Sequence, residues 1–432
     1  MKAAKKLILY FFLIILLFGC RKEKKDVLPP DINITSPTEN QLVYIPDTIT
    51  VMAEITDDSP LTEVKVNIVD DNLVPVLPSL IYHPMQSTYQ VNIDYPVDDV
   101  MLTSGYYYVH VYASDGTNTK NDYRKIYINE IPKRFLYVAA VTRVNYNTLQ
   151  VMKIDSVYNA TSMFIFNSDY SASDVNSKNQ LLYIAGNYFG NVNAYDLTNN
   201  TLAWSIPALI NPPFPCFTNI YYNGTYALVS NYNGTIKGYD KSGALKYSLN
   251  TPAGSYPGKL YPHNQYLFSE LTMVSGGSKS IAVYYYSTSY LMQQLPVTYS
   301  VVDFYSKDDD DVFVFVNAAG QGMMKIYSIT DNNVWQPIVI PTGKIYSVAQ
   351  IDADHYLIAH DNGIYSYNYS LNSLVPFIPG LQADKIKYNS LTGEVYASHA
   401  KTISVYDYPS ASLVNSVVLS DTICDFHLVF NK

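Results

Sequence analysis

The sequence TYALVSNYNGTIKGYD, residues 225–240, alternates apolar and polar side chains, breaks at Asn233-Gly234 and alternates again. Both central residues of a type I′ turn need positive φ, which Asn and Gly accept most readily, so the stretch reads as a β-hairpin. The second arm ends in Tyr239-Asp240, and Lys241-Ser242-Gly243 makes the next turn. With alternating runs at 217–221 before it and 245–249 after it, the hairpin completes a unit of four short strands, a to d in chain order.

Six more segments share this layout: LYVAAVTRVNYNTLQVMKID (136–155), LYIAGNYFGNVNAYD (182–196), YLFSELTMVSGGSKSIAVYYYS (266–287), VFVFVNAAGQGMMKIYS (312–328), YLIAHDNGIYSYN (356–368) and VYASHAKTISVYD (395–407). A matching apolar position falls at Tyr137, Tyr183, Ala227, Tyr266, Phe313, Tyr356 and Val395, steps of 39 to 47 residues. A period near 40–45 with four strands per unit is the signature of a β-propeller blade, and the period-two alternation excludes helical repeats. The first unit begins at strand b, and ICDFHLV (423–429) is an orphan strand. It is expected to supply strand a of the first blade, closing a seven-bladed ring without open sheet edges.

The 432 residues suit a small domain plus a propeller of roughly 300 residues. Tyr is used 43 times, which suits strands and half-buried sheet surfaces. Residues 1–26 carry seven Lys/Arg against two acids. Of the formal net charge of −9, the remainder therefore accounts for −14, and an acidic body excludes nucleic acid as a partner. Lys2, Lys5 and Lys6 precede an apolar run that ends at Gly19, too short to span a bilayer and patterned as a signal peptide over residues 1–19. Leu17-Phe18-Gly19-Cys20 resembles a bacterial lipobox, which implies lipidation of Cys20 and a membrane partner held through the acyl chains. Residues 20–30 then form a charged tether. Arg21 stands where an inner-membrane retention signal would place Asp, so the expected location is the outer membrane, on its periplasmic side or at the cell surface.

Between 31 and 130 the repeat is absent, and alternating runs at 32–36, 48–56, 62–69, 88–93, 106–114 and 123–128 read as an immunoglobulin-like β-sandwich. PPDINITSPTENQ and SGYYYVHVYASDGTNT resemble bacterial Ig-like modules. Asp57, Asp58 and Asp115 read as turn carboxylates and not as calcium ligands. Cys216 and Cys424 fall in blades that are not neighbours, so they read as small buried residues without a disulfide.

Over residues 131–432, YIAGNYFGNVNAYDLTN and LVSNYNGTIKGYDKSG resemble the YVTN repeat of the quinoprotein-dehydrogenase-like propeller class. That class includes binding proteins and dehydrogenases. Strand c is expected to end in Tyr195, Tyr239, Tyr286, Tyr327, Tyr367 and Tyr406, with Ile154 in the first blade, followed by turn-capping Asp155, Asp196, Asp240, Ser287, Ser328, Asn368 and Asp407. No vicinal Cys pair, cofactor floor, Gly-x-Ser-x-Gly or sialidase box occurs, so the chain is expected not to be an enzyme and to carry no cofactor or metal. Four residues after the repeated apolar position stand Asn187, Asn231, Glu270, Asn317, His360 and His399, with Val141 in the first blade. They are the candidate ligand-binding residues, a polar ring at one propeller face; the alternative reading has them bonding loop backbone between blades. Long d–a loops at 207–215 and 251–264 are expected on the same face, and Lys307 with Asp308–Asp311 reads as solvent-facing charge. The expected function is non-catalytic binding of a protein or glycan at the envelope. A polysaccharide lyase or hydrolase is the alternative, disfavoured because the ring supplies one carboxylate and not two.

Overall fold

The computed structural model describes residues 28–209 and 214–432; the expected signal peptide (1–19) and the expected lipidation site Cys20 lie outside them. The described residues form an all-β protein, with one short 3-10 turn and no α-helix. None of it is a helix long and apolar enough to cross a membrane. The chain divides into two compact units, residues 1–132 and 133–432.

The first unit is an Ig-like sandwich. Asp31–Ser36, Asp47–Thr56 and Thr88–Val97 make a three-stranded sheet. Gln41–Tyr44, Thr119–Asn129, Gly105–Ser114, Glu63–Val69 and Leu80–Tyr82 make a five-stranded sheet in that spatial order. The alternating apolar residues Val51, Ile55, Val66, Val109 and Val111 fill the space between the sheets. Two of these strands, Gln41–Tyr44 and Leu80–Tyr82, were not expected; at four and three residues they are too short to show a period. Asp57 and Asp115 cap turns, accepting from the N–H of Ser59 (2.7 Å) and of Thr117 and Asn118 (2.5 and 2.6 Å).

The second unit holds seven four-stranded antiparallel sheets. In sheets 2 to 7, strands a to d follow one another along the chain. Sheet 1 joins Phe135–Asn145, Thr148–Ile154 and Ala160–Asn167 to Thr422–Phe430, whose partners run from Arg143 to Phe135. The strands a of sheets 2 to 7 are Ala172–Asn176, Phe217–Tyr222, Ser255–His263, Ser300–Ser306, Ile345–Gln350 and Lys385–Asn389. Consecutive strands a touch, and Thr422–Phe430 touches both Lys385–Asn389 and Ala172–Asn176. The apolar core is divided in the same way. Seven clusters each lie between two sheets; one of them packs Tyr396, Ile403 and Val405 of sheet 7 against Val138, Phe426 and Leu428 of sheet 1.

The strand-c tyrosines explain much of the Tyr surplus. Tyr195 stacks on Phe164 of the preceding sheet (4.5 Å), Tyr239 lies against Trp204 (5.9 Å) and Tyr327 meets Phe268 edge-on (5.5 Å). Such ring pairs contribute about 0.5–1.5 kcal/mol each beyond their buried area. In sheet 4 this position is Tyr284, paired opposite Leu267 and fully buried, and not Tyr286 as the sequence suggested. Tyr286 instead stacks on Tyr247. The capping role holds at Asp155, Asp196 and Asp240, which accept from the N–H two residues on at 3.0, 2.7 and 2.9 Å. Two expectations are corrected. Residues 251–264 are not a loop: Tyr256, Tyr261 and His263 stand on strand Ser255–His263. Lys307 and its acids are not simply solvated, because its ammonium bonds Asp308 (2.5 Å) and Asp311 (2.7 Å), while Asp310 accepts from Ser328 and Thr330. Cys216 and Cys424 are free thiols and only half-buried.

Candidate functional site

The six candidate residues do not stand at one level of the sheets. Pairing across strands b and c puts Leu182, Ala227, Leu267, Val312, Tyr356 and Val395 opposite the six tyrosines. Counted from these, Asn231, His360 and His399 are four residues on, Asn187 and Asn317 five, and Glu270 three. One step along a strand turns a side chain to the other face.

Their partners differ accordingly. Asn317 brackets the next sheet, donating to the Ile345 carbonyl (2.7 Å) and accepting from its N–H (2.9 Å). Glu270 is buried, pairs with Lys279 (2.7 Å) and accepts from the Val301 N–H (3.1 Å), again in the next sheet. His360 is buried and bonds the Pro341 carbonyl and the Asn362 N–H. Asn231 donates within its own hairpin, to Val229 and Thr235 carbonyls. The Asn187 carbonyl accepts from Cys216 and its N–H donates to Asp169. His399 is exposed and lies 3.1 Å from Asp384. Only His360 and His399 come together, in a small hollow of about 110 Å³ with Tyr346, Asp361 and Asp384. No group of three His, Cys, Asp or Glu among the described residues is placed to hold a metal ion. An unsatisfied buried polar group costs about 1–3 kcal/mol, so Asn317→Ala should lower the unfolding free energy of the 133–432 unit by about 2 kcal/mol in urea titration. The Asn187 side chain makes no hydrogen bond among the described residues, and Asn187→Ala should stay within about 0.5 kcal/mol of the parent.

Two larger spaces remain. The first is a cleft of about 510 Å³ beside the b–c hairpins of sheets 3 and 4, lined by Ile206, Leu209, Phe214, Cys216, Asn231, Tyr232 and Val274 among others. Two stacked rings line it, Phe214 on Tyr232 (5.0 Å, 18° between planes), and Tyr256 packs against Tyr232 from outside the lining (4.6 Å, 34°). Asn231 is the one candidate residue in it.

The second is a polar cavity of about 560 Å³ bounded by strands a of all seven sheets. Cross-strand register sorts its lining into two layers. Asp425, Asn219, Asp303, Ser347 and Lys385 share one level; Asp174, Tyr221, Tyr305 and Lys387 share the next. Burial works to raise the Asp425 carboxyl, but Lys387 and Lys385 outweigh it and hold it down at about 2. Burial, helped by Lys387 and opposed by Asp425, pushes His427 down to about 3, so its ring is neutral; its Nε2 lies 2.8 Å from Ser173 Oγ. Asp174 is raised by burial against the pull of Lys387. Sequence reasoning missed these charges because it looked for a site on strands b. The signal was present in KIKYN, VVDFY and CDFH, where charged residues alternate inside otherwise apolar inner strands.

Residues 30–119 match the family of bacterial Ig domains. No curated protein matches the chain. Among solved structures, a quinonprotein alcohol dehydrogenase-like protein from Bacteroides thetaiotaomicron VPI-5482 is similar over 93% of this chain and 99% of its own, at 13% identity and a TM-score of 0.48. A chain of the mitotic checkpoint complex covers 59% of this chain and 78% of its own, at 14% identity and TM-score 0.47. The computationally designed Ika8 protein covers 66% and 89%, at 12% identity and TM-score 0.45.

Proposed function

We propose that the chain is a non-catalytic binding protein of the cell envelope, held by lipid on Cys20 at the outer membrane. The Ig-like domain is its spacer, and a seven-bladed propeller closed by the C-terminal strand carries its binding face. The apolar cluster between sheets 7 and 1 supports closure. The binding reading rests on the ring-lined cleft at Phe214 and Tyr232, whose size and apolar walls with a few polar groups suit a ligand. Asn231 is the candidate contact there. The partner is a glycan chain, stacked on the rings, or an aromatic-anchored protein segment.

Glycan-array and envelope-extract capture with the full chain test this. Tyr232→Ala and Phe214→Ala should each weaken capture by about tenfold or more without lowering thermal stability. Retention by both variants would remove the cleft from the reading. Release of new reducing ends from a captured glycan would replace it with the lyase or hydrolase alternative.

A further inference from the structure

We propose that the cavity bounded by strands a is a second binding site, separate from the cleft, for a small carboxylated and hydroxyl-bearing ligand, the chemistry of an acidic monosaccharide. The argument is the hydrogen-bonding capacity left over on its walls. Three carboxylates and three ammoniums line it, so the formal charges of its walls balance and the hydrogen-bonding capacity decides what fits. The carboxylates are already partly engaged. Asp425 accepts from the Phe426 N–H (2.8 Å), Asp303 from the Phe304 N–H (3.0 Å) and Asp174 from the Val175 and Tyr222 N–H groups (2.8 and 2.7 Å).

The ammoniums face these carboxylates through charge but not through hydrogen bonds. Lys259 and Lys387 have no hydrogen-bond partner among the described residues, and Lys385 Nζ stands 4.0 Å from Asp425, beyond bonding distance. An ammonium offers three donors and accepts nothing. The unmet capacity is therefore mostly donor, concentrated at Lys385 and Lys387 on one strand, with Lys259 three sheets away. A carboxylate is the complement of two adjacent ammoniums. A bare anion, however, would also meet the nearby carboxylates, so hydroxyl donors must face Asp303 and Asp425. Volume permits it, since small-ligand pockets run from about 300 to 1,000 Å³.

The test is isothermal titration of the full chain with D-glucuronate, and with D-glucose and acetate as controls. Glucuronate should bind at least about tenfold more tightly than either control. Lys387→Gln and Lys259→Gln should each cost about tenfold or more, whereas Tyr232→Ala in the cleft should leave this binding unchanged. Thermal melts check that both Lys variants fold; two variants on different sheets guard against one failing. No heat with glucuronate would overturn the proposal, as would acetate binding as tightly, or both folded Lys variants binding like the parent.

Discussion

A chain ending at Asp421 should lose the cooperative unfolding transition of the 133–432 unit. Thr422–Phe430 is hydrogen-bonded to Phe135–Asn145 along its length, and its loss leaves that strand with an unpaired edge. It also removes Phe426 and Val429, both fully buried, from two separate apolar clusters. The single substitution Phe426→Ala should already cost about 3–5 kcal/mol, the usual range for a large buried aromatic. That is a large share of the 5–15 kcal/mol by which a domain is typically stable. Calorimetry separates the two units, and the Ig-like transition should stay where it is. An undisturbed second transition in the truncated chain would mean that sheet 1 does not depend on its fourth strand.

Acid should weaken the same unit well before ordinary carboxylates titrate. His427 has its proton affinity pushed from 6.5 to about 3 in the folded state. Between those values the unfolded chain binds a proton that the folded chain refuses, so stability falls as pH falls. At most about 1.4 kcal/mol is lost per pH unit, and the drop from pH 7.5 to 4.5 should cost about 3 kcal/mol. Asp425, lowered from 3.8 to about 2, acts in the same sense lower down: its contribution is full above 3.8 and is lost as pH falls through 2. Asp174, raised, works in the opposite sense, taking up its proton more readily when folded. His427→Gln keeps a polar group toward Ser173 but cannot charge. Its stability should be flat between pH 7 and 5, where the parent's declines; parallel curves would show that the burial of His427 is not the cause.

The sheets were legible and their register was not. Asn233-Gly234 and the 39–47 residue period locate each hairpin. Strands Leu181–Ala185 and Asp311–Ala318, however, are buried on both faces or nearly so, and a strand without a wet side shows no alternation to fix its phase. Tyr183, Tyr266 and Phe313 therefore read as equivalent to Ala227 although each lies one residue away from it in pairing. The same slip joined Glu270 and Asn317 to His360 as one ring. Strand Ser255–His263 was hidden by Pro257 and Pro262, which cannot donate to a ladder; the structure admits them with a bulge between Pro257 and Leu260. The inner cavity was missed for a topological reason: charged residues inside strands such as KIKYN mark each segment singly, but the seven segments face one another only once the sheets are arranged.

The pairing of Val138 with Leu428 spans roughly 290 residues of sequence. Contacts that distant slow folding, because the chain must give up its freedom before it gains the contact. The first three strands of sheet 1 must wait, exposed, for a partner that arrives after six other sheets. For this protein the vulnerable moment is the assembly of the molecule and not its finished state, and chaperone dependence during folding should track the first sheet and not the last.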